Sequence, residues 1–257
     1  MKLTKIRQLF SHREYDDDDD DDYFYNRRTK IYSWCTQPER GFYFDGDGMK
    51  RKMTDEAISE PLFGFEIEVS MSDKRRSERK ALRMLRKMTS IVASNSHLMC
   101  TRDSSVAGIG PVSQGFEVKS VVGTADFFSK SIDWSYLRKL EKLDAVTEGI
   151  GEQGFHIHVD NRAFVDEAHK ERFARQISKD VVEWAKDCGW AYVGNYAKLI
   201  PDDLEDSDWK FDKYHVVNLR NDRTTEVRCL MPTFDKDRIA QYFEYVNMII
   251  NETKGGK

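Results

Sequence analysis

Four short segments of the chain carry residue types from which a cation and phosphate site can be built: Glu66-x-Glu68, Glu117 with Lys119, His156-x-His158 followed by Asp160, and Glu226-x-Arg228. In an extended strand, residues two apart project from the same face. The residues between them are apolar: Phe65, Ile67 and Val69; Phe116 and Val118; Phe155, Ile157 and Val159; Val227 and Cys229. Each segment therefore has one face for a core and one that is ionisable. If the strands share a sheet, four glutamates and two histidines converge where Lys119 and Arg228 are the obvious positive charges. Crowded carboxylates repel and are costly to desolvate, and bound divalent cations relieve both effects. Carboxylate oxygens suit Mg²⁺ or Mn²⁺, and a histidine nitrogen can complete a site that also holds nucleotide phosphates.

Taken singly, these patterns have plainer readings. Glu-x-Glu often decorates a solvent-facing strand and Glu-x-Arg is often a salt-bridged pair, whereas two imidazoles on one strand face are a common metal-binding geometry. The shared site is suggested by their recurrence opposite apolar residues.

The elements that must position these side chains can be read from periodicity. Residues 63–70 alternate as a strand, and the following helix places Ala81, Leu85, Met88 and Val92 on one face. Strands are expected at the start of 98–105, over 115–122 and over 155–160. Helices are expected from Trp134 to Leu143, with Leu137, Leu140 and Leu143 at helical spacing, and from Asp166 to Cys188, with Phe173, Ile177, Val181 and Trp184 inward. Residues 214–230 read as two strands joined by the turn Arg220–Arg223, before a closing helix from about Asp237 to Asn251. Without a Rossmann-type glycine fingerprint or an internal repeat, this predicts an α+β fold with a mainly antiparallel sheet covered on one side by helices.

The 257 residues suit one catalytic-sized domain with an appendage. Residues 1–60 differ in character: seven aspartates, Asp16–Asp22, predict a flexible, solvated acidic loop, and GFYFDGDGMK at 41–50 reads as a loop in an N-terminal arm. The main domain is then 61–257. A net charge of −4 gives no global attraction to nucleic acid or membrane. The basic face of the first helix, with Lys74, Arg75, Arg76, Arg79, Lys80, Arg83, Arg86 and Lys87, is most simply solvated. Cys35, Cys100, Cys188 and Cys229 form no CxxC pair, and neither a signal peptide nor a membrane span is evident, so a soluble cytoplasmic protein is expected.

FGFEIEV, DSS with GFEVKS, GFHIHVD and YHVVNLRNDRTTEVR agree in order and spacing with motifs of a known family. Over roughly 61–250 the chain resembles the amidoligase family, phage-encoded and bacterial, of the glutamine synthetase and glutamate-cysteine ligase superfamily. The resemblance implies a glutamine-synthetase-like half-barrel of antiparallel strands whose concave face holds ATP and divalent ions. It further implies Glu66, Glu68, Glu117 and Glu226 as metal-binding carboxylates, with His156 and His158 assisting metal and phosphate binding. Arg228 would contact the transferring phosphoryl group, Asp103 would position the amine or accept its proton, and Asn218 would orient nucleotide or substrate. The implied reaction joins a carboxylate to an amine, of an amino acid, peptide or protein, through an acyl phosphate; a phage-encoded protein would act in the host cytoplasm. Phosphoryl transfer depends mainly on positioning and charge neutralisation and needs no protein nucleophile. Ser104 replaces the glycine of the family's DGS element, and Lys119 stands where a neutral residue is usual.

Two other readings stand beside this one. His156-x-His158-x-Asp160 superficially resembles the HxH strand of amidohydrolase barrels, although a parallel barrel needs about 250 residues. A degenerate ligase fold serving as a binding or structural module is the other. Nothing in the sequence identifies a subunit interface.

Overall fold

The computed structural model describes residues 41–54, 60–71, 78–101, 116–143, 145–146, 153–187, 189–201, 209–210 and 212–255. The acidic run Asp16–Asp22, Lys74–Arg76, Asp103 and Ser104 lie outside them. The chain divides into Met1–Lys30 and Ile31–Lys257, and every described residue belongs to the second unit.

The strands are β1 (Phe42–Phe44), β2 (Lys50–Lys52), β3 (Leu62–Met71), β4 (Leu98–Thr101), β5 (Phe116–Ser120), β6 (Gly123–Thr124), β7 (Ala145–Val146), β8 (Phe155–Asp160), β9 (Val217–Asn218) and β10 (Thr224–Leu230). The helices are α1 (Glu78–Ala93), α2 (Ser135–Glu141), α3 (Glu167–Asp187) and α4 (Lys236–Glu252). Together they form an α+β fold with a mostly antiparallel open sheet in the order β2-β1-β6-β3-β8-β10-β9, with β5 also on β3 and β4 on β5. Among the described strand pairs, only β1 and β6 run parallel. This ladder is not the parallel barrel that the hydrolase reading needs.

β3 is the longest strand and organises the sheet. On one edge, Phe63 to Ile67 pair with Val159 to Phe155 of β8. On the other, Glu66 to Val69 pair with Lys119 to Phe116 of β5, and Leu62 and Phe63 with β6. The period-two pattern sends Phe63, Phe65, Ile67 and Val69 to one face, where all are buried. There Phe65 stacks on Phe155 with ring centroids 5.4 Å apart.

α4 covers this apolar face. Asp235 caps its N-terminus, accepting from the backbone N–H of Asp237 at 2.9 Å. Ile239, Tyr242, Phe243, Val246, Ile249 and Ile250 follow at helical spacing and are all buried. Burying each large apolar side chain contributes about 1.5–3 kcal/mol. The expected helices 134–143, 166–188 and 237–251 correspond to α2, α3 and α4, but Leu143 and Trp184 are half-buried rather than inside. Trp184 instead meets the Tyr245 ring of α4.

Two features depart from the sequence expectation. Residues 41–50 are not simply a loop: β1 and β2 form a hairpin, and the edge of β1 pairs with β6 at Gly123. Asp45 holds its turn, accepting from the N–H groups of Asp47 and Met49 and pairing with Arg51 at 2.7 Å, while Gly48 takes a φ of +74°. The second is a π-helical turn, Phe127–Ser131, closed by Ile132 N–H donating to the Phe127 carbonyl at 3.0 Å. It buries the adjacent Phe127 and Phe128 together. Cys100 and Cys229 are both buried, and burial pushes the Cys229 thiol up to about 12. No described helix is long and apolar enough to cross a membrane.

Candidate metal centre

Because β3, β5, β8, β9 and β10 are neighbours, their polar side chains align in rows across the strands. One row runs Lys119, Glu66, His156. A second pairs Thr101, Glu117 and Glu68. A third runs Gly64, His158, Glu226, Asn218. The ladder shifts register between Val227 and Leu230, beside Arg228. Such irregularities re-aim side chains and recur next to functional sites.

Ion pairs and hydrogen bonds connect the rows. Lys119 Nζ lies 2.7 Å from Glu66 Oε1 and 2.8 Å from Glu117 Oε2. Thr101 donates to the same Glu117 oxygen at 3.0 Å. Glu226 receives Arg228 at 2.7 Å on Oε1 and the Asn218 amide at 2.8 Å on Oε2. His156 Nδ1 sits between two carboxylates, 3.3 Å from Glu226 and 3.9 Å from Glu66. Glu68 accepts from the Gly154 N–H at 2.8 Å.

These partners set the ionisation of the site. Burial opposes charge on Glu66, but His156, His158 and Lys119 outweigh it and hold the carboxyl well below the usual range. Glu226 is lowered in the same way: burial resists, and His156, Arg228, His158 and Asn218 prevail. Burial would also lower Lys119 and His156, yet Glu66 and Glu117 push the ammonium up, and Glu66 and Glu226 push the imidazole up.

Glu66, His158 and Glu226 each offer one ligand atom, and these atoms lie within 4.8 Å of one another. His158 Nε2 is buried and makes no hydrogen bond, although Glu66 Oε1 is 3.4 Å away. Leaving such a group unsatisfied costs about 1–3 kcal/mol, and coordination would satisfy it. Two carboxylates and an imidazole form a donor set that fits Mn²⁺ or Mg²⁺.

The structure thus brings Glu66, Glu68, Glu117, His156, His158, Asn218, Glu226 and Arg228 to one face; Asp103 lies outside the described residues. Of the two histidines that the resemblance implies as assisting metal and phosphate binding, His158 is the one in the clustered donor set, while His156 Nδ1 lies between Glu226 and Glu66. Asn218, expected to orient nucleotide or substrate, donates to Glu226. Thr101 and Gly154 escaped the sequence reading as supports of Glu117 and Glu68. Only the β4–β5 pairing and the path of the chain before β8 reveal them. Compared with known proteins, the chain matches no protein-family model and no curated protein.

Proposed function

We propose that this chain is an ATP-dependent carboxylate–amine ligase with a glutamine-synthetase-like half-barrel, forming an amide or isopeptide bond through an acyl phosphate. The observation that supports the reading best is the clustering of Glu66, His158 and Glu226, with Arg228 bonded to Glu226, on the strand face opposite the aromatic core. Glu66, His158 and Glu226 would hold Mg²⁺ or Mn²⁺, which when bound supplies positive charge to phosphate oxygens. Glu226 holds one arm of the Arg228 guanidinium, whose buried Nε has no hydrogen-bond partner. A planar guanidinium oriented in this way suits a phosphoryl group. His156, held between Glu66 and Glu226, takes a proton more readily than a free imidazole and adds positive charge.

In this reading the substrate carboxylate attacks the γ-phosphorus and ADP leaves. The amine then attacks the acyl carbon, loses a proton and expels phosphate. The partners are an amino acid, peptide or protein bearing each group. A cytoplasmic setting, which supplies ATP and keeps thiols such as Cys100 and Cys229 reduced, accords with it.

Calorimetric titration with a nonhydrolysable ATP analogue, with and without Mg²⁺, tests the reading. Metal-dependent binding by the native chain, lost in a folded Arg228→Ala variant, is the expected result. No nucleotide binding by the well-folded native chain would overturn it in favour of a binding module.

A further inference from the structure

Lys119 is a member of the charged face that this chemistry does not call for. Its ammonium bridges Glu66 Oε1 and Glu117 Oε2 at 2.7 and 2.8 Å. The register explains the bridge: Lys119 stands opposite Glu66, and Glu117 stands opposite Glu68 in the same ladder. Lys119 and Glu117 are two apart on one strand, so both face the same way. Thr101, opposite Glu117, fixes the carboxylate that receives the ammonium.

We infer that Lys119 takes the place of a second metal ion, so that the face holds one divalent cation, at Glu66, His158 and Glu226, beside a built-in ammonium at Glu66 and Glu117. The inference rests on the metal centre proposed above and adds its stoichiometry. An ammonium is a compact charge with three donors, able to bridge carboxylates as a metal ion does. Glu66 can serve both cations, because a carboxylate offers about four lone-pair positions over its two oxygens. The charge balance agrees. Among the described residues, four carboxylates (Glu66, Glu68, Glu117, Glu226) meet the cations Lys119 and Arg228 and the readily protonated His156, which leaves one to two negative charges for one divalent ion to cancel. A second ion would leave the face positive and would lie against the ammonium.

Removing the ammonium while keeping an unbranched side chain, as in Lys119→Met, leaves Glu66 and Glu117 without it and opens the second position. The test is Mn²⁺ binding to the full chain without nucleotide, followed by the electron paramagnetic resonance signal of free Mn²⁺. The native chain is expected to bind one ion, Lys119→Met and Lys119→Gln two, and Glu226→Gln in the native background none. Two ions on the native chain would overturn the inference, as would a single ion on both folded Lys119 variants; in either case the metal centre itself survives. No ion on the folded native chain would overturn the metal centre instead. If Lys119→Met loses its circular dichroism spectrum in EDTA, recovery with two equivalents of Mn²⁺ supports the inference and failure to recover counts against it.

Discussion

The ring of His156 lies over Gly154 so closely that a β-carbon at position 154 would stand 2.4 Å from Nε2 and 2.9 Å from Cδ2. The backbone there has little room to retreat. Gly154 N–H donates to the Glu68 carboxylate at 2.8 Å, and its carbonyl accepts from Glu68 N–H at 3.2 Å. Gly154→Ala is therefore expected to displace His156 rather than the strand. Its circular dichroism spectrum should match the native one while Mn²⁺ affinity falls by about 10–100-fold, the range for lost outer-shell support. Unchanged Mn²⁺ binding would show that His156 has no part in shaping the site.

Asn218 acts through Glu226. Its buried amide donates to Glu226 Oε2 while Arg228 holds Oε1, so the carboxylate is clamped from both sides. Asn218→Ala is expected to weaken Mn²⁺ binding by about 10–100-fold. Asn218→Asp should weaken it further before nucleotide is added, since a carboxylate placed there repels Glu226 instead of donating to it. Equal affinities for the native and Ala proteins would remove Asn218 from the support of the site.

A pH response is built into α3, away from the charged face. His169 is fully buried; its Nδ1 accepts from Val165 N–H at 3.1 Å, and its Nε2 lies 2.8 Å from the Ile250 carbonyl oxygen, which places the ring proton on Nε2. Burial, against the opposing pull of that carbonyl, lowers its pKa below the ordinary 6.5. The unfolded chain then takes the second proton first. The stabilisation is complete above about 6.5 and is lost as pH falls through the folded value. His169→Gln abolishes this titration. The stability gap between native and variant proteins, read by urea unfolding, should narrow as pH is lowered below about 6.5. A gap that stays constant would show that His169 is not the titrating group.

Phe243 is the keystone of the apolar face. Its ring meets Phe63, Phe65, Phe128 and Phe155 at centroid distances of 5.9, 6.2, 4.3 and 6.2 Å. Phe243→Ala should cost about 3–5 kcal/mol in urea unfolding. Met248, on the same helix and 45% exposed, should tolerate alanine within about 0.5 kcal/mol. Similar losses at both positions would mean that α4 does not pack as described.

Periodicity made the main strands and the helices α1 to α4 readable because each sets apolar residues at a regular spacing. It also separated Glu66, Glu68, Glu117, His156, His158 and Glu226 from the core before any pairing was known. Spacing along the chain could not show which side chains meet across strands. That Asn218 serves Glu226, that Thr101 serves Glu117, and that His158 rather than His156 completes the clustered donor set all depend on strand order and register. The β1–β2 hairpin was hidden for a different reason: two three-residue strands are too short to show an alternation, and the Asp and Gly residues of the turn dominate the segment. The π-helical turn was hidden because burying the neighbouring Phe127 and Phe128 fits neither helical nor strand spacing.

β3 carries the centre of the aromatic core on one face and Glu66 and Glu68 on the other. A slip of one residue in its pairing would exchange these sets, driving two carboxylates among the phenylalanine rings and stranding Phe65 and Ile67 beside Lys119. Mispaired intermediates of this kind are penalised twice, by buried charge and by lost packing. The acidic face thus favours the correct strand pairing while the chain folds.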